Sequence, residues 1–304
     1  MHLTFAKHET FYIREGWLFK GMAAIQHMED GEDLPTIFLD RDAPERLGIG
    51  RNMVHALRYW MQATGLTEEQ FEGRAVQRLT PSFGEIVWQY DRYLENEGTL
   101  WLIHYHLVCN RELATSWYWF FNHYVPTSFT DKQALESLQH WVVTAEPERR
   151  VARGSLKKDV TCLLRTYLPD NRAKTPEYLR ESPLAQLGIM LEFGEGSQKR
   201  YHLQRVDGSR LHPLITLYVM LDRQKKEREN SSEVRLSEIL QEPMNVGRVF
   251  NVTTAVLTDL IATLNKNYPD MGIRFVRTAG LDQLTLPTIE PEEVLHEYYE
   301  ETAS

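Results

Sequence analysis

The segment Leu47 to Leu66, LGIGRNMVHALRYWMQATGL, constrains the fold more than any other stretch of the chain. Its apolar residues Met53, Val54, Leu57, Trp60 and Met61 recur at three- and four-residue steps, while Arg51, His55, Arg58 and Gln62 fall together on another face. This spacing predicts a helix with one buried side and one hydrogen-bonding side. Gly48 and Gly50 supply the backbone freedom of a tight inter-helix turn, and Ala43 to Leu47 is long enough to end a preceding helix. The pattern is that of a helix-turn-helix. Arg51 and Asn52 open its second helix, where such side chains can form paired hydrogen bonds to guanine and adenine edges in the major groove. The same geometry also serves protein contacts, and an ordinary solvated helix is the plainer alternative.

A chain of 304 residues, 42% hydrophobic and 11% aromatic, can bury two or three compact cores. No apolar run approaches the roughly 20 residues that cross a bilayer, and the apolar stretch from Thr99 to Cys109 contains His104 and His106. The N-terminus MHLTFAKHETF lacks a basic region followed by an apolar stretch, which argues for a cytoplasmic rather than a secreted protein. Cys109 and Cys162 sit in hydrophobic surroundings and form no metal-site spacing, so they read as reduced core thiols. The net charge of −9 weighs against nucleic acid, but it is unevenly spread. Arg149 to Arg228 holds 17 Lys or Arg against 9 Asp or Glu, an excess of eight positive charges that leaves −17 for the rest. A basic middle can face phosphate while acidic ends stay solvated or dock on a basic partner. Chance asymmetry on a solvated surface is the alternative.

The fold class expected is mainly α (α+β), with tandem winged-helix or helix-turn-helix domains and small β-hairpins. In residues 1–128, the helix-turn-helix is followed by Ala75 to Leu79, a Pro81 to Gly84 turn and Glu85 to Tyr90, which together suggest a hairpin wing. Thr99 to His123 follows as an apolar helical region. Residues 129–228 open with a helix from Thr130 to Val143 and continue with a helix from Leu156 to Leu168 that exposes Lys157, Lys158 and Arg165. A hairpin over Gly188 to Val206 and a helix from His212 to Gln224 complete this block. Residues 229–304 follow the charged linker Gln224 to Glu233. They suggest helices at Leu236 to Leu240 and Thr253 to Leu264, then a hairpin around Gly280 and an acidic tail.

The segments HETFYIREGWLFKG (His8 to Gly21), LGIGRNMVHALRYW, TLWLIHYHL and SWYWFFN resemble a bacterial domain-of-unknown-function family encoded in DNA phosphorothioation and related anti-phage gene clusters. Its best described members are SspB-like. The resemblance implies a partner of a sulfurtransferase and an ATPase. It also implies a protein that nicks double-stranded DNA, opening the backbone where sulfur replaces a non-bridging phosphate oxygen. Phosphodiester cleavage needs a nucleophile and charge neutralisation at the phosphorane. His8, Glu9, Arg14, Glu15 and Lys20 offer those groups within one motif. Glu9 or Glu15 could hold a divalent ion such as Mg2+ or Mn2+, His8 could act as base, and Arg14 or Lys20 could stabilise charge. The structural alternative makes Arg14 and Glu15 an ion pair and His8 with Glu9 a helix cap.

Two further motifs are weaker. His104-Tyr105-His106 imitates the His-apolar-His triplet of one nickase class, but the flanking residues read as helix, on which positions two apart point about 200° away from each other. Gln224-Lys225-Lys226 imitates the end of a restriction-type nuclease motif without a convincing upstream acidic pair. The chain has no P-loop, so no nucleotide cofactor is expected. The DNA contacts expected are Arg51, Asn52, His55, Arg58, Gln62, Lys157 and Lys158, and an oligomer is compatible with the aromatic density. The rival is a non-catalytic winged-helix adaptor or regulator that uses the same face.

Overall fold

Wherever apolar residues repeat at helical steps, the chain is helical, and the computed structural model, which describes residues 3–31, 33–169, 181–227, 232–278 and 281–303, is mainly α with small antiparallel sheets. Contacts group the residues into two units, 1–120 with 124–204 and 121–123 with 205–304.

The larger unit begins with α1 (Trp17–Asp30), α2 (Ala43–Leu47) and α3 (Arg51–Ala63). The turn between α2 and α3 needs Gly48, whose φ of 61° lies in the left-handed region where a side chain is strained. α3 buries Val54, Leu57, Trp60 and Met61 as its periodicity requires, whereas Met53 is only half-buried. β1 (Thr67–Phe71) and β2 (Ala75–Leu79) then pair antiparallel, Thr67 opposite Leu79 and Phe71 opposite Ala75. The hairpin therefore starts directly after α3, and β2 is its second strand.

Glu85 to Tyr90, expected as a strand, instead lies in α4 (Gly84–Asp91). The cause is local: the Thr80 hydroxyl accepts the Gly84 N–H at 2.9 Å, and the Thr80 carbonyl accepts the Glu85 N–H, so the chain turns into a helix. Gly84 is obligatory for packing, because a Cβ built there would lie 2.0 Å from the Leu66 carbonyl oxygen. Gly84→Ala should destabilise this unit by about 3 kcal/mol, the upper range for overpacking against an unyielding neighbour, as read by urea unfolding.

α5 (Glu97–Cys109) is capped by the Asn96 side chain and buried on nearly all sides. α6 (Thr115–Trp119) follows. β3 (Ser128–Phe129) leads into α7 (Asp131–Ala145), which opens with a capping box in which Thr130 and Gln133 satisfy each other's backbone N–H. α8 (Arg153–Tyr167) packs on α7. β4 (Met190–Phe193) and β5 (Arg200–Leu203) form the expected hairpin, and β3 adds to it in the order β3-β5-β4.

The smaller unit contains α9 (Pro213–Glu227), β6 (Glu233–Arg235), α10 (Leu236–Gln241), α11 (Val246–Val249) and α12 (Thr254–Asn267). β7 (Arg274–Thr278), β8 (Leu281–Thr285) and α13 (Pro291–Thr302) follow. Its sheet runs β6-β8-β7. The Gly280 turn and part of the Gln224–Glu233 linker lie outside the described residues. Lys225 pairs with Glu290 and Glu292, and Lys226 with Asp222, so the basic pair of the Gln224-Lys225-Lys226 motif is taken up in ion pairs. No described helix is long and apolar enough to cross a membrane.

Candidate nucleic-acid interface

The motif from His8 to Lys20 folds around a buried hub. His8 is fully buried; its Nε2 lies 3.0 Å from Asp159 Oδ1 and its Nδ1 accepts the Thr10 N–H at 3.1 Å. Its ring stacks beside Trp60 of α3 and meets Trp117 of α6 edge-on. Asp159, also buried, accepts the Ala6 N–H at 2.7 Å and the Ser116 hydroxyl at 2.6 Å. Trp60 Nε1 donates to the Phe11 carbonyl, which ties the motif to α3. Beside Asp159, burial pushes the Cys162 thiol well up, so it stays protonated, and neither Cys109 nor Cys162 is in a disulfide.

The other motif residues have different partners. Glu9 and Glu15 are exposed, and the Glu15 N–H donates to the Glu181 carbonyl. The Arg14 guanidinium lies 5.3 to 5.9 Å from the rings of Phe11, Tyr12 and Trp17. Lys20 Nζ donates to the Leu47 carbonyl at 2.7 Å, holding the turn before α3. Among the described residues no group of three or more His, Cys, Asp or Glu side chains comes together to hold a metal ion. His104 and His106 lie on α5; His104 is buried against the Tyr167 hydroxyl at 2.8 Å, and His106 packs on Phe83.

On α3, Arg51, Asn52 and His55 are exposed at the N-terminal end. Arg51 reaches the Arg41 carbonyl at 3.1 Å. Arg58 is bound by Glu69 of β1, and Gln62 contacts the Arg58 carbonyl. The hairpin beside this face is acidic, with Glu68, Glu69 and Glu72, of which Glu72 pairs with Arg78. α3 therefore offers hydrogen-bonding groups in its first turns and a compensated charge farther along.

α8 is different. Arg153, Lys157, Lys158, Thr161 and Arg165 are exposed, while its acid, Asp159, is turned into the core. Lys157, Lys158 and Arg165 make no side-chain hydrogen bond or ion pair with a described residue; Arg165 lies 4.6 Å over the Tyr12 ring. Arg153 donates to Gln139 of α7. From Lys157 to Arg165 the helix rises about 12 Å, the length of roughly three to four phosphates along one DNA strand. Arg165 and Thr161 also line a cavity of about 380 Å3 with Tyr12, Tyr201 and the ion-paired Lys199 and Glu192. Arg153 and Arg165 were not among the expected contacts, although their spacing with Lys157 and Thr161, every four residues, was the available signal.

The two helices α2 and α3 followed by the β1–β2 hairpin, and the exposed basic face of α8, belong to a mainly helical protein with small antiparallel sheets. A family described as a protein of unknown function, DUF4007, matches residues 5–299, and the chain belongs to that family. Two solved structures, described as the magnesium ion-bound SspB crystal structure and the SspB crystal structure, are similar to it. Each has a TM-score of 0.86 and 29% sequence identity, and each comparison covers 100% of this chain and 90% of the other. No curated protein matches.

Proposed function

We propose that this chain is a DNA-binding component of a bacterial DNA phosphorothioation and phage-defence system, acting on double-stranded DNA in the cytoplasm beside a sulfurtransferase and an ATPase. The observation that carries this reading is the exposed face of α8, where Lys157, Lys158 and Arg165 stand without carboxylate partners among the described residues. Unpaired cations on one helix face repel each other, and a polyanion relieves that repulsion while releasing its own counterions. The α3 end with Arg51, Asn52 and His55 supplies groups suited to base edges, and the element order in both units fits winged-helix domains. The defence-system assignment rests on the similarity to SspB and on the resemblance of the sequence motifs.

One observation favours a second reading, strand nicking by this chain: a similar SspB structure is described with magnesium bound. Here the His8 hub holds the surrounding elements in place, and the chemistry of a nick is not assigned to it. A single assay separates the two readings. The purified protein is incubated with supercoiled plasmid and Mg2+ or Mn2+, with EDTA controls, and binding is followed in parallel by gel shift. The DNA-binding reading expects a shift in every condition and is overturned by its absence at low salt. Open circles that form only with the ion establish nicking; binding without open circles assigns the adaptor role.

A further inference from the structure

The larger unit carries a second surface whose chemistry differs from that of α8. At the end of α4, Arg92 lies over the Trp88 ring at 5.3 Å and near the Tyr93 ring at 5.8 Å. Phe19 of α1 stacks beside Trp88, with planes 12° apart, and meets Tyr93 at 4.7 Å. The set is not core: Tyr93 is 61% exposed, Arg92 is exposed, and Phe19 and Trp88 are half-buried. The Arg92 side chain makes no hydrogen bond or ion pair with a described residue, and the neighbouring Asp91 accepts the N–H groups of Glu95 and Asn96. The next residue after Phe19, Lys20, holds the Leu47 carbonyl in the turn that leads into α3.

We infer that Phe19, Trp88, Arg92 and Tyr93 form a stacking platform for an unpaired nucleobase, with the Arg92 charge facing the adjoining phosphate. Stacked aromatic rings topped by a free guanidinium are a poor fit to a duplex, whose bases present only their edges, and a good fit to single-stranded DNA, whose bases offer their faces. Protein partners are also anchored by Trp, Tyr and Arg, but the chain link through Lys20 to the turn before α3 and an Arg92 guanidinium that lies on the aromatic rings rather than on a carboxylate point to DNA. The inference rests on the DNA-binding reading and extends it to strands opened or unpaired at the bound site.

The test uses the full chain, a single strand of about 12 nucleotides carrying 2-aminopurine, and a duplex of about 20 base pairs. Stacking on the platform should quench the 2-aminopurine fluorescence. Tyr93→Ala and Arg92→Gln should each weaken single-strand binding about tenfold and remove the quench, with duplex affinity unchanged. Tyr93→Phe, which keeps the ring, should retain both. Lys157→Gln with Lys158→Gln should do the reverse, weakening duplex binding and sparing the quench. Single-strand affinity and quench that survive Tyr93→Ala overturn the platform and assign the patch to a protein partner. A wild-type chain that quenches the single strand but ignores the duplex overturns the α8 reading and leaves the platform standing.

Discussion

Asp159→Ala should destabilise the larger unit by about 3–5 kcal/mol, the cost of leaving a buried polar partner uncompensated. The carboxylate accepts hydrogen bonds from the Ala6 N–H and the Ser116 hydroxyl, and it lies 3.0 Å from His8 Nε2, all without access to water. Removing it strands those groups in the core and opens a void beside His8 and Ser116. Urea unfolding followed by tryptophan fluorescence measures this directly, and a loss below about 1 kcal/mol would contradict the assigned role. The same geometry changes how any His8→Ala result must be read. That variant deletes a fully buried ring, so a loss of activity accompanied by a comparable loss of stability reports folding rather than chemistry.

The second large effect is expected on DNA. Replacing Lys157, Lys158 and Arg165 together by Gln should weaken duplex binding about 100-fold at roughly 0.1 M salt, because three phosphate contacts and their released counterions are lost. Stability should change little, since all three side chains are exposed and Gln keeps good helix propensity. Arg58→Gln should matter far less, because Glu69 already occupies its charge. These contrasts separate phosphate contact from base reading: loss through α8 should be uniform across sequences, whereas Asn52→Ala should relax sequence preference.

Much of this was legible in the sequence because local rules decided it. The three- and four-residue spacing marked α3, the Thr130-Asp131 start signal marked the beginning of α7, and the Gly194 to Gln198 turn marked the β4–β5 hairpin. β1 was hidden because TEEQF is exposed from Glu68 onward and shows no alternation. EIVWQY looked like a strand, and only the Thr80 hydroxyl and the close approach of Gly84 to Leu66 reveal why it is a helix. The surroundings of His8 were not legible, because its partner Asp159 lies 151 positions away and leaves no local trace. The aromatic platform was similarly hidden, since Phe19 joins Trp88 and Tyr93 only through tertiary contact.

We propose that duplex DNA is held on the exposed face of α8. Its most direct test is the slope of log K against log salt for one duplex, measured for the wild-type chain and for the Lys157→Gln, Lys158→Gln, Arg165→Gln variant. Loss of three phosphate contacts predicts a slope shallower by about 2.7 in the variant. Equal slopes for the two proteins would show that α8 does not touch the phosphates and would contradict the account.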